Sequence, residues 1–164
     1  MKKTLIISTM WFGVVANTHA EETSIVDMAD KNEIRTCRSQ IKSVSDFIIK
    51  DKAHSTHASW NSKDSDNRLY ATLTSKGYSD GDSHVSVITA PTSSGKCDST
   101  YVETFALPQS CMVTREETYK DWKYIGTMNG KTLLLESDGG AVNIYLSPQG
   151  ESICLVSRRE VVYQ

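Results

Sequence analysis

The stretch DKNEIRTCRSQIKSVSDFIIKDK, residues 30–52, sets Ile34, Cys37, Ile41, Val44 and Ile48 at intervals of three and four. That spacing draws one apolar stripe along a helix. Ser39, Gln40, Lys42, Ser43, Ser45 and Asp46 take the other positions and are expected to face water, while Phe47 and Ile49 widen the stripe near its end. Asp30, followed three residues on by Glu33, fits a capping box with Asp in place of the usual Ser or Thr. A helix of about six turns cannot bury its own stripe. The β-rich remainder of the chain is the surface available to cover it.

Upstream, residues 1–20 open with Lys2 and Lys3 and continue as an apolar run from Leu5 to Val15, broken by Ser8, Thr9 and Gly13. They end in Thr18-His19-Ala20. A basic start, a short apolar centre and small residues at the cut describe a secretory signal peptide cleaved after Ala20. The run is too short for the roughly 20 apolar residues of a membrane span. No cysteine follows it, which argues against a lipid anchor. Glu21 to Ala29 reads as a tether into the helix. The expected organisation is therefore a signal peptide over 1–20 and one α+β domain over 21–164, long enough for a single core.

Both charges in the leader are lysines, so the remainder carries 16 Lys and Arg against 20 Asp and Glu, a net of −4. With Arg158-Arg159 as its densest basic pair, the chain has no electrostatic footprint for nucleic acid or an anionic membrane. All four cysteines, Cys37, Cys97, Cys111 and Cys154, follow the leader. An even number in an exported chain favours two disulfides. Four cysteines allow three connectivities; the favoured one joins Cys97 to Cys111 across a short loop and Cys37 to Cys154 from helix to last strand. Cys-x-x-Cys spacing is absent, which argues against a thiolate metal site.

Beyond the helix, Asp51 to Asn67 is rich in Ser, Asp, Asn, His and Lys and reads as an exposed connection. Strand patterns follow at Arg68 to Leu73, His84 to Thr89 and Thr100 to Leu107, with a turn over Gly77 to Asp82 and a polar loop over Ala90 to Asp98. Cys111 to Thr114 is expected to return beside the third of these. Asn129-Gly130 between Trp122 to Met128 and Lys131 to Glu136 is a type I′ hairpin signal, because that turn needs positive φ at both central residues. Turns at Ser137 to Gly140 and Ser147 to Gly150 then lead through Ala141 to Leu146 and Ser152 to Tyr163, a meander. No internal repeat is visible. The predicted fold is α+β: one long N-terminal amphipathic helix packed on an antiparallel meander sheet of six or seven strands, stapled by disulfides.

Motifs for chemistry are missing or fail. Ala90-Pro91-Thr92-Ser93-Ser94-Gly95-Lys96-Cys97 imitates a phosphate loop, but Ala90 replaces the first glycine, Cys97 the magnesium-binding hydroxyl, and a strand follows in place of a helix. His54, His57, His84, Asp80 and Asp82 could gather a metal only if a rigid frame held three or four of them together; solvated histidines are the plainer reading. Asp64-Ser65-Asp66 and Asp80-Gly81-Asp82 lack the rest of an EF-hand loop. There is no G-x-S-x-G elbow, although a triad assembled in space is invisible to sequence. Catalytic residues, metal ligands and cofactors are accordingly expected to be none.

Tyr70-Ala71-Thr72-Leu73-Thr74-Ser75-Lys76-Gly77 is similar to the Y-x-x-x-T-K-G motif of periplasmic inhibitors of C-type lysozyme, with Ser75 as an extra residue. The likeness covers those eight residues, and the inhibitors look like small β-barrels without a long helix, so none of their binding residues is carried over. What the residues favour is a periplasmic protein-binding module, most concretely an inhibitor or immunity protein that neutralises a cell-wall hydrolase or toxin by stoichiometric binding. The partner would be another periplasmic or secreted protein. Trp60, Tyr78, Tyr119 and Trp122 are its candidate contacts, since Trp and Tyr dominate interface hot spots. The alternatives are an accessory subunit of an envelope, secretion or pilus machine that offers strand edges, and an unrecognised hydrolase.

Overall fold

The apolar stripe is present, but two helices share it. In the computed structural model, which describes residues 22–164, α1 spans Ser24–Lys31 and α2 spans Arg38–Ile49. Glu33 adopts φ 58°, the Glu33 N–H donates to Asp30 O, and the Ile34 N–H donates to Ala29 O. This is a Schellman stop, with buried Ile34 folded back onto buried Ala29. Glu33 thus ends one helix, where the spacing had it starting another. Asp30, expected as an N-cap, lies in the last turn of α1 and binds Arg38 Nε at 2.7 Å. The start of α2 is held from a distance: Asp66 Oδ1 accepts the N–H groups of Arg35 and Thr36, both at 2.6 Å. The span read as a tether is α1, with Ile25, Val26 and Ala29 buried. Because α1 lies against α2, Gln40 and Ser45, expected in water, are buried too, and Ser45 accepts from Thr23 Oγ1 at 3.1 Å.

Among the described residues eight strands form one antiparallel sheet, one more than the upper end of the expected range. They are β1 (His54–Ser59), β2 (Tyr70–Tyr78), β3 (Gly81–Pro91), β4 (Cys97–Leu107), β5 (Lys123–Met128), β6 (Thr132–Glu136), β7 (Val142–Gln149) and β8 (Ile153–Val162), in the order β1-β2-β3-β4-β8-β7-β6-β5. The additional strand is β1, inside the segment read as a connection; its sequence HSTHAS offers one apolar residue, Ala58, to the core. Asn129 and Gly130 have φ of 49° and 67°, as the type I′ hairpin between β5 and β6 demands. Cys111 does not begin a strand: Ser110 caps a short helix, α3 (Cys111–Glu117), by accepting the Val113 N–H.

All three helices cover one face of the sheet. Tyr70, Thr72, Thr74 and Lys76 of β2 point to it, as do Ser83, Val85 and Val87 of β3, and Cys97, Ser99, Tyr101 and Glu103 of β4. α1 and α2 lie over the β1–β4 half, and α3 lies over β7 and β8. The disulfides join helix to sheet within each half, Cys37 to Cys97 and Cys111 to Cys154. The expected pairing was wrong because Cys111 opens a helix over β8 and Cys37 lies over the start of β4, not over the last strand. Loops of 60 and 43 residues are worth about 4 kcal/mol each in the chain-entropy treatment. Two disulfides fit an oxidising compartment. No helix among the described residues is long and apolar enough to cross a membrane. The expected signal peptide lies outside the described residues.

Candidate functional site

Two charged residues stand at inward positions of the sheet where apolar ones would be ordinary. Lys76 and Glu103 have side chains only 5% and 8% exposed, and Lys76 Nζ lies 3.0 Å from Glu103 Oε1. The same oxygen accepts from Ser83 Oγ at 2.9 Å and from the Tyr78 hydroxyl at 3.3 Å. Lys76 also donates to Ile48 O at 2.6 Å, a carbonyl in the last turn of α2 that has no partner within its helix. A cation at a helix C-terminus is favoured by the helix dipole. The cluster therefore fastens the end of α2 to β2, β3 and β4.

Past this point the helix layer stops. Lys50 leaves α2 at φ 57°, and the sheet face opens into a cleft of about 370 Å³. Its walls are Tyr78, Ser83, Phe105 and Leu107, and the β2–β3 turn brings Asp80 to its rim, while the neighbouring Asp82 carboxylate accepts from Ser75 Oγ at 2.7 Å. Tyr78 is 43% exposed and lies 5.2 Å from Lys76 Nζ and 5.7 Å from Lys52 Nζ, so its ring is held by two cations. Phe105 also packs against the second core cluster, as do Tyr119 and Trp122, whose rings meet edge to face at 5.5 Å.

The seam between β4 and β8 carries the second polar group. Glu103 faces Arg158 there, and Tyr101 faces Glu160. The Tyr101 hydroxyl donates to Glu160 Oε2 at 2.7 Å. Burial first, and then this carboxylate, push its pKa up, so it remains a donor. Arg158 lies over the rings of Phe47 and Tyr101, at 5.4 and 5.9 Å. Burial pushes the Tyr119 hydroxyl up as well; Arg158 opposes that rise and Glu103 adds to it, which puts Tyr119 in the field of both.

Of the aromatic residues expected to contact a partner, Tyr78 lines the cleft, Tyr119 and Trp122 pack against the second core cluster, and Trp60 packs against the first. His54 is fixed within the chain: its Nδ1 lies 2.7 Å from Lys52 O and its Nε2 accepts the Ser24 N–H at 3.0 Å. Among the described residues no group of three or more His, Cys, Asp or Glu is placed to hold a metal. Sequence reading passed over Lys76, Glu103 and Arg158. Alternation offered a signal for the first two, since Tyr70, Thr72, Thr74 and Lys76 share one parity, as do Tyr101, Glu103 and Phe105. Compared with family models, with curated proteins and with solved structures, the chain matches none.

Proposed function

We propose that this chain is an exported protein-binding module, an inhibitor or immunity protein that neutralises a cell-wall hydrolase or toxin in the periplasm by stoichiometric binding. The observation that carries the reading is the cleft: aromatic and apolar walls, Asp80 at the rim, and beneath it a Lys76–Glu103 pair whose groups are spent on each other and on α2. An ion pair so committed holds a surface in shape. Concave apolar sites rimmed by a few polar groups are where recognition concentrates, and two disulfides keep this one rigid, which lowers the entropy cost of binding. Purified protein mixed with periplasmic extract is expected to form a complex of fixed stoichiometry that protects cell wall in proportion to its concentration. Tyr78→Ala and Leu107→Arg should weaken the complex without unfolding the protein. Turnover of peptidoglycan, peptide or ester by the isolated chain, lost on changing one residue, would overturn the proposal in favour of a hydrolase.

The accessory-subunit reading has its own support in the outer strand β5, paired only with β6 and exposing Tyr124, Ile125 and Met128. An edge of that kind is suited to strand addition by a partner. Ile125→Arg discriminates the two: it should abolish strand addition and leave the cleft complex intact.

A further inference from the structure

The β4–β8 seam holds two facing pairs of like design, of which one is bonded and one is not. Tyr101 spends its hydroxyl on Glu160 across the seam. Arg158 faces Glu103 in the same way, but Glu103 Oε1 is occupied by Lys76, Ser83 and Tyr78. Arg158 Nε is buried and has no hydrogen-bond partner, and no carboxylate among the described residues pairs with the guanidinium. A buried donor left without a partner is costly, more so when charged, and the contacts with Phe47 and Tyr101 answer only for the faces of the plane. Of its donors, Nε is the buried one left open. Arg158 is partly exposed, and Phe47 beside it is 49% exposed, so a ligand can reach the guanidinium past Phe47.

We propose that Arg158 is a receptor for a carboxylate brought from outside the chain, taken through the planar fork of the guanidinium in the gap between α2 and the Tyr119–Trp122 pair. A fork of N–H donors matches a carboxylate in geometry. One negative charge suits the surroundings better than two, because Glu103 and Glu160 stand beside Arg158 on the seam and a phosphate dianion would meet both carboxylates. Phe47 and Tyr119 thin the water around the site, which strengthens a charged bond. The carboxylate has two conceivable sources, an acidic side chain of a protein or a small free acid, and the chemistry is common to both. The site stands on the seam geometry and does not depend on the cleft reading.

The test uses the oxidised protein labelled with nitrogen-15 and follows the Arg158 Nε–H resonance, which burial shields from exchange with solvent. Acetate, a capped Gly-Glu-Gly peptide and its Gly-Gln-Gly counterpart are titrated at constant ionic strength. Acetate and the Glu peptide should shift the resonance to saturation, and the Gln peptide should not. Tighter binding of the Glu peptide assigns the carboxylate to a protein; equal or tighter binding of acetate assigns it to a small acid. Arg158→Lys keeps the charge but loses the planar fork, and should bind roughly tenfold more weakly. Arg159→Gln, on the opposite face, should bind like the native protein. A shift that never saturates, saturation by inorganic phosphate but by neither carboxylate, or an Arg158→Lys protein that binds as well as the native one would overturn the proposal.

Discussion

The two halves of the sheet have one plan and unequal execution. Each is a helix followed by a four-stranded meander, and in each a disulfide ties the start of the helix to the start of the fourth strand. Their fourth strands, β4 and β8, meet antiparallel at the centre, so the topology repeats about the seam. The first half has a helix of 12 residues backed by α1, and its core draws on both helices and on β1 to β4. The second has a helix of 7 residues over β7 and β8, leaving β5 to water. The difference teaches where rigidity and access are divided. The first half is the anchored one, and the openings lie where its helix layer ends and where the two layers fail to meet. At equivalent distances from Cys97 and Cys154 stand Tyr101 and Arg158, then Glu103 and Glu160. Lys76 breaks this likeness by claiming Glu103, and Arg158 is left over.

The comparison breaks most sharply at the first core. Ile41→Asp puts a charge at a fully buried position under α2, which should remove stability comparable with that of a whole domain, about 5 kcal/mol or more. Ser43→Asp, on the exposed side of the same helix, should change little. Equal denaturant midpoints for the two variants would show that α2 does not cover the sheet. Replacing Cys111 and Cys154 together by Ala should cost about 4 kcal/mol, and hydrogen exchange should show the loss concentrated in α3 and β7. The same replacement at Cys37 and Cys97 has a similar entropic cost, but the larger core around it should retain slow exchange in β2 and β3. If the second half stays protected without its disulfide, the inequality drawn here is wrong.

Lys76→Met leaves Glu103 buried without its cation and should cost about 3–5 kcal/mol. Adding Glu103→Leu should recover much of that loss, because paired burial of charge is itself expensive. Thermal melts of the single and double variants give the answer, and a double variant no better than the single would mean that the pair does not act as a unit.

The smallest effect is acid sensitivity at the start of α2. Thr36 N–H, burial opposing it, then the Thr36 hydroxyl and Arg35 N–H set the Asp66 carboxyl below its ordinary value. A lowered folded value means that the bond's contribution is whole above the unfolded carboxylate range, near pH 3.9, and is lost as pH falls through the folded value. Asp66→Asn should flatten the stability curve in that acid window, by a modest amount because the group is largely solvated. An unchanged acid limb would remove the capping role.

Much of the fold was legible because its signals are local. Asn129-Gly130 carries its turn geometry in two residues, and the stripe through Ile41, Val44 and Ile48 marks buried helix wherever its ends fall. What escaped depends on distance or on an unusual residue. Glu33 occupies a left-handed position that Gly or Asn usually fills, and Ile34 and Cys37 continue the apolar rhythm across the break, so one helix was read where there are two. β1 is polar on both sides and gains strand form from pairing with β2. The disulfides answer to which helix covers which strand, a fact of topology. The candidate contact aromatics Tyr78, Tyr119 and Trp122 were named for their residue type, whereas Lys76, Glu103 and Arg158 acquire meaning only from each other.

In the proposed function the chain holds a partner in the opening of the helix-covered face. Native mass spectrometry of the oxidised protein after incubation with periplasmic extract measures this directly, with Leu107→Arg and Ile125→Arg run beside the native chain. The account predicts a complex of fixed stoichiometry that Leu107→Arg abolishes and Ile125→Arg leaves intact; a complex lost with Ile125→Arg and unaffected by Leu107→Arg would contradict it.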